Sequence, residues 1–243
     1  MKHYLRIGGV VELSTVDIPQ RACSVVFLAG CNFDCVFCQN STLIPTNSGE
    51  LIEFTKLLNV IYKNILIDSV SITGGEPLLQ PMLIPLCQEL KKSFYVSVDT
   101  NGSLPRVTSE LVNIVDRIAL DLKCGFSRYT SITQTPSNTL ENVIQSFNII
   151  NSSSVVDFEV RTTVVPELIM KDDIKAISRF LTSHTFRGVY VLQQFWNEGD
   201  VRDLKNITPP TRNELIELAE VSINQGVQKV AIRTREEGYE LVS

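Results

Sequence analysis

Three cysteines fall within eight positions, Cys31, Cys35 and Cys38 in "AGCNFDCVFCQN", whereas Cys23, Cys87 and Cys124 stand singly. Thiolates at CxxxCxxC spacing are soft ligands, and two metal chemistries use them. Structural zinc takes four protein ligands in a closed tetrahedron, and no fourth Cys or His follows at motif spacing. Catalytic zinc, with three ligands and a water, stays open as an alternative. A 4Fe–4S cluster held by three thiolates leaves one iron for a cofactor or substrate with donor atoms, and its chemistry is one-electron donation. On that reading a count of three cysteines is functional.

Other stretches carry groups able to serve a bound cofactor. "TGGEP" at 73–77 places Gly74 and Gly75, which permit close backbone approach, ahead of Glu76, which can accept from an ammonium, and Pro77. "VDTNG" contributes Asp99, Thr100 and Asn101, and "ALDLK" contributes Asp121 and Lys123. Two carboxylates converging on one rim repel, so Lys123 is a sensible neighbour for them. Arg161 precedes "TTVVP" and offers a fixed fork of donors. Each stretch alone is an ordinary turn or strand end. Independent turns have no reason to converge on one edge, so their meaning depends on the elements that carry them.

Those elements alternate. Short β-branched runs predict strands at 23–28, 68–73, 94–99, 115–121, 156–165 and 188–193. Helical periodicity predicts helices at 50–64, 78–92, 105–114, 138–151 and 171–183; Leu140, Val143, Ile144, Phe147 and Ile150 share one face of the fourth. Strand and helix in alternation give parallel strands with right-handed crossovers, in an open doubly wound sheet or a complete or partial barrel. Periodicity does not choose between them. The cysteine loop and the carboxylates then lie at the C-terminal ends of strands, where parallel α/β folds place their sites. Residues 1–20 read as a small N-terminal β extension, 196–210 as a long polar loop, and 211–243 as a last helix at 211–224 with a short strand at 227–233. The whole chain, 1–243, is expected to be one domain.

Composition narrows the function classes. The chain has 243 residues, 44% of them apolar, enough for one sizeable core. A formal charge of -5, with no basic run, offers no footprint for a nucleic-acid backbone. No stretch is long and apolar enough to span a bilayer, so a cytoplasmic protein without membrane association is expected. Six cysteines in a chain of this length make no disulfide scaffold. Cys23 and Cys87 read as buried small hydrophobes, and Cys124 at the rim has no recognisable base or second thiol beside it.

CxxxCxxC with Phe37 before the third cysteine, followed by "TGGEP" after the next strand, resembles the radical S-adenosylmethionine (SAM) superfamily. Within it the chain is similar to glycyl-radical-enzyme activases, and most of all to the activating proteins of anaerobic ribonucleoside-triphosphate reductases. The likeness runs from about residue 7 to 235 through "RIGGVVELSTVDIP", "VVFLAGCNFDCVFCQN", "SITGGEPLLQ", "VDTNGS", "ALDLK", "RTTVVP" and "YVLQQF". It implies a partial (β/α)6 TIM-like barrel of α/β class. It also implies a 4Fe–4S cluster on Cys31, Cys35 and Cys38, with SAM chelating the fourth iron and yielding a 5′-deoxyadenosyl radical on reduction. Phe37 and Cys38 would lie beside the adenine, and Gly74, Gly75, Glu76 and Pro77 would border the SAM amino group. Asp99, Thr100, Asn101, Asp121, Lys123 and Arg161 would line the rest of the SAM pocket, with Asp121 and Lys123 in catalytic roles. A monovalent cation shared by the two Asp residues is a further implication. The partners implied are the glycyl-radical subunit of the reductase and an electron donor such as flavodoxin or ferredoxin.

The sequence departs from the pattern at three places. Where pyruvate formate-lyase activase has a late His, "VLQQF" offers Gln193 or Gln194, and Gln194 is the expected cofactor contact. The His expected after the third cysteine is Gln39, which has no role from sequence, and Glu167 stands where a glycine is usual. Three rival readings stay open: a radical SAM enzyme on a small molecule, like 7-carboxy-7-deazaguanine synthase; an activase of another glycyl-radical enzyme; and a zinc-binding interaction module.

Overall fold

A computed structural model describes residues 3–198 and 201–243. Residues 199 and 200 of the expected long loop, and the first two of the N-terminal extension, lie outside it. In chain order the elements are β1 (Tyr4–Ser14), β2 (Cys23–Leu28), β3 (Glu50–Glu53), α1 (Phe54–Tyr62), β4 (Ser69–Gly74), α2 (Leu83–Leu90), β5 (Tyr95–Thr100), α3 (Pro105–Leu111), β6 (Arg117–Asp121), α4 (Tyr129–Thr133), α5 (Thr139–Ser152), β7 (Asp157–Val164), α6 (Lys171–Ser183), β8 (Val189–Gln194), α7 (Arg212–Asn224), β9 (Val230–Thr234) and β10 (Gly238–Leu241). All strands join one sheet in the order β10-β9-β8-β7-β6-β5-β4-β2-β1-β3.

From β2 through β4, β5, β6, β7 and β8 to β9 every pairing is parallel. The two ends of the order do not pair, so the sheet is an unclosed, partial α/β barrel. The six expected core strands are joined by β9, the short strand expected at 227–233, which pairs parallel with β8. β1 runs antiparallel to β2 and carries β3 on its outer edge. β3 occupies the start of a segment predicted as helix 50–64. There "ELIE" pairs with Tyr4 to Ile7 of β1, and that tertiary pairing overrides the helical pattern until Phe54. The helix predicted at 78–92 starts at Leu83, because Pro77–Leu79 forms a 3₁₀ turn and Pro81 supplies no N–H.

Period-two alternation sorts the strands' faces. Val70 and Ile72, Val96 and Val98, Ile118 and Leu120, and Phe158 and Val160 face the helices and join one continuous core. Their neighbours Ser71, Ser97, Asp99, Arg117, Glu159 and Arg161 face the other way, into a barrel interior that is buried yet polar. The helices cover the apolar face with Leu86 and Leu90 of α2, Phe147 and Ile150 of α5, and Ile177 and Leu181 of α6. Phe147 meets Phe158, Phe180 and Phe186 with ring centroids 4.8–5.9 Å apart. Among the described residues no helix is long and apolar enough to cross a membrane.

Candidate functional site

The cysteine loop leaves β2 at Leu28 and is pinned before it reaches any ligand. Gly30 and Cys31 donate to the carbonyls of Leu43 and Ile44 at 2.8 and 2.9 Å. Asp34 and Val36 donate to Thr133 and Ile132 at 3.0 Å each, the last carbonyls of α4, which have no partner within their own helix. The short helix α4, absent from the sequence prediction, thus shapes the loop that carries the thiols. Phe33 packs edge-on against Tyr129 of α4, and Asp34 forms an ion pair with Arg202.

The second wall is the turn after β4. Gly75 and Glu76 donate to the carbonyls of Leu28 and Gly30, at 2.8 Å each. A Cβ at Gly74, whose φ is +121°, would sit 2.2 Å from the Leu28 oxygen, and one at Gly75 would sit 2.3 Å from the Gly30 oxygen. Only glycine allows this approach. Glu76 turns away from the cavity: its carboxylate accepts from Leu78 N–H at 3.0 Å, Thr100 Oγ1 at 2.8 Å and Asn101 N–H at 2.7 Å. Burial pushes its carboxyl up to about 7, against those three donors. It therefore ties the β4 turn to the end of β5, with its carboxylate engaged inside the protein and not lining the cavity between the two walls. Pro77 likewise starts the 3₁₀ turn and does not line the cavity between the two walls.

Between these walls lies a cavity of ≈ 240 Å³. Cys31, Cys35, Cys38 and Phe37 line it together with Gly74, Gly75, Asp99, Thr100, Asn101, Asp121, Lys123 and Arg161. Asn101 Nδ2 lies 4.0 Å from the Cys31 sulfur and 3.0 Å from Asn32 Oδ1, joining the β5 end to the cysteine loop. Gln194, like Glu76 and Pro77, falls outside the cavity. It is buried, with Nε2 donating to the Pro210 carbonyl at 2.8 Å and Oε1 accepting from Arg235 N–H at 2.9 Å. Its neighbour Gln193, on the inward face of β8, lines the cavity instead.

Below the thiols runs a chain of buried charges. Lys123 Nζ is 2.7 Å from Asp121, Arg161 is 3.2 Å from Asp121 and 2.9 Å from Asp99, and Arg117 is 2.7 Å from Glu159. Burial opposes the charge on Lys123, but Asp121 and then the Cys35 thiol hold its pKa above the ordinary value. Burial likewise opposes ionisation of Asp121, and Lys123 and Arg161 hold it below the usual carboxylate range. The place between Asp99 and Asp121, where a monovalent cation was expected, is taken by the Arg161 guanidinium. Replacing potassium or sodium with tetramethylammonium should therefore leave the Kd for SAM within about twofold, measured by calorimetry; a larger loss would show that a metal cation is needed there.

Burial pushes the Cys31 thiol up to about 12 and the Cys35 thiol to about 11, so ligation would release protons. The loop turns three thiols to the cavity, while its one carboxylate, Asp34, is paired with Arg202 away from it; thiolates alone are the donor chemistry of an iron–sulfur cluster. Among the described residues no three His, Cys, Asp or Glu side chains gather round one point as the ligands of a single ion do. A four-iron cluster instead spreads its thiolates over separate irons. The residues present fit that group, and the polar walls beside it fit SAM. Sequence reading passed over Asp17, Thr163 and Arg233, which also line the cavity, and offered Gln193 only as the alternative to Gln194. Inward register on β7 and β9 marks Thr163 and Arg233, while Asp17 lies in a turn with no local signal. Gln39 acquires a place as well, its amide donating to the Trp196 carbonyl at 3.1 Å and tying the cysteine loop to the segment after β8.

Residues 25–181 match the Radical SAM superfamily. A Methanocaldococcus jannaschii protein, provisionally named a glycyl-radical enzyme activating enzyme, is 32% identical over 97% of this chain and 98% of its own length. The 7-carboxy-7-deazaguanine synthase of Methanothermobacter thermautotrophicus is 32% identical over 54% of this chain and 56% of its own. QueE from Escherichia coli shares the fold, with a TM-score of 0.60 at 17% identity over 96% of this chain and 95% of its own.

Proposed function

Because the chain belongs to the radical SAM superfamily, whose enzymes use a 4Fe–4S cluster and SAM, we propose that it is the activating enzyme of an anaerobic ribonucleoside-triphosphate reductase. Its placement among radical SAM activases of glycyl-radical enzymes is carried by one observation, similarity to such a protein along nearly the full length of both chains. The synthase likeness covers about half of each chain. The narrower choice of a reductase rests on "VLQQF" in place of the His found in pyruvate formate-lyase activase.

When bound, the reduced cluster would supply one electron to the sulfonium of SAM, and the pair would thereby provide, with release of methionine, a 5′-deoxyadenosyl radical able to take a hydrogen atom from a glycine Cα. The electron comes from a flavodoxin or ferredoxin. Cys31, Cys35 and Cys38 hold three irons, and the loop is kept in place by α4 and the Leu43–Ile44 carbonyls. Gly74 and Gly75 would let SAM approach the backbone, and Phe37 and Cys38, which line the same cavity, would hold its adenine. Asp99, Thr100, Asn101, the Asp121–Lys123 pair and Arg161 present donors and acceptors to its amino, carboxylate and ribose groups. The side chain of Glu76 braces this wall from behind.

The test uses reductase deuterated at its glycine Cα. With reductant and SAM, 5′-deoxyadenosine carrying one deuterium is expected by mass spectrometry. Unlabelled product, together with turnover of a carboxypterin, would move the assignment to the small-molecule reading.

A further inference from the structure

Arg233 is the cation of the cavity with the poorest partners among the described residues. Lys123 and Arg161 each hold a carboxylate within 2.9 Å, whereas Arg233 has Glu159 Oε1 at 3.9 Å and the Asp17 carbonyl at 3.5 Å. Its Nε is buried with no acceptor, and only 12% of its side chain is exposed. Burial disfavours its charge, and the attraction of Glu159 does not make up the difference, so its pKa lies below the usual guanidinium value. A buried guanidinium with spare donors is costly unless something fills them.

Its position says what could. Arg233 pairs in register with Gln193, and Gln193 with Thr163, all three lining the cavity. β9 is the last parallel strand of the sheet, with β10 on its outer side, and Phe27 of β2 and Asp17 of the β1–β2 turn line the same cavity. Lys123 and Arg161 are held by Asp121 and Asp99, whereas Arg233 reaches only Glu159 and the Asp17 carbonyl among the described residues and keeps donors free toward the cavity.

We propose that Arg233 is the substrate anchor of this cavity, donating to an oxygen of the molecule that enters it beside SAM. In a peptide that oxygen is a main-chain carbonyl beside the reacting glycine; in a small molecule it is a carboxylate. The inference rests on the radical SAM reading and adds the residue that holds the substrate.

The test compares wild type, Arg233→Met and Arg233→Lys as reconstituted full chains, with a synthetic peptide of the reductase's glycyl-radical loop or a carboxypterin as substrate. Arg233→Met is expected to raise KM for the accepted substrate about tenfold, with kcat changed less than about threefold and the Kd for SAM within about twofold. Arg233→Lys, which keeps the charge and loses the fork, is expected to raise KM about threefold, and decides the matter if the Met variant fails to fold. Unchanged KM in both variants overturns the anchor while leaving the activase reading intact. A SAM affinity that falls in step with KM overturns it by assigning Arg233 to SAM, and a lowered Tm with unchanged KM by assigning it to a latch between β9 and the β1–β2 turn. If wild type turns over the pterin and not the peptide, the activase reading falls and the anchor stands or falls on the pterin KM. A wild type that acts on neither overturns both.

Discussion

Replacing Cys31, Cys35 or Cys38 with serine, one at a time, is expected to reduce SAM cleavage to background and to leave reconstituted protein well short of about four irons per chain. All three thiols line one cavity on a loop pinned at both sides, so no neighbouring side chain can swing in to replace a lost ligand. Cys124 is the nearest control. It is fully buried, its thiol donates to the Gly125 carbonyl at 3.4 Å, and it lines no part of the cavity. Cys124→Ser should retain iron and cleavage. Iron analysis and 5′-deoxyadenosine formation check both expectations, and a loop variant that kept full iron and activity would break the assignment of the ligands.

Arg161→Met is expected to destabilise the fold by about 3–5 kcal/mol, because it removes one partner from a buried charge network. Arg161 sits 2.9 Å from Asp99, 3.2 Å from Asp121 and 3.8 Å from Glu159. Without it Asp99 keeps only Arg117, at 3.8 Å, and one of its oxygens already lacks a hydrogen-bond donor. Arg161→Lys restores the charge but cannot reach two carboxylates with one fork, so an intermediate loss follows. Urea unfolding gives the answer as a shift in midpoint at constant slope. A loss below about 1 kcal/mol for the Met variant would mean that water or the other cations satisfy these carboxylates.

The legible parts of this fold were those written in local pattern. Strands β2 and β4 to β8, and helices α5, α6 and α7, fall within about two residues of where periodicity puts them, the usual blur of element ends. The alternation of Val96 and Val98 with Ser97 and Asp99 already separates the apolar face from the polar interior. Elements set by tertiary pairing were not legible. β3 exists because β1 lies beside it, and α4 is a single short turn of helix whose value lies in the carbonyls it offers to Asp34 and Val36.

The same division holds in the site. Cys31, Cys35, Cys38, Gly74 and Gly75 announce themselves by spacing, and they face one cavity. Glu76 and Gln194 were visible as residues but not in direction, since each carries hydrogen bonds that turn it from the cavity to the scaffold. Arg161 was visible as a donor fork, yet its bridging of Asp99 and Asp121 needed three strands in register. Arg233 and Asp17 come from opposite ends of the chain, 216 positions apart, and meet only because the curved sheet brings the β1–β2 turn to β9.

The most direct measurement is an electron paramagnetic resonance spectrum of the anaerobic ribonucleoside-triphosphate reductase after incubation with this protein, reductant and SAM. A glycyl-radical doublet that appears only when all components are present is the predicted result. SAM cleaved to 5′-deoxyadenosine with no doublet on the reductase would contradict it.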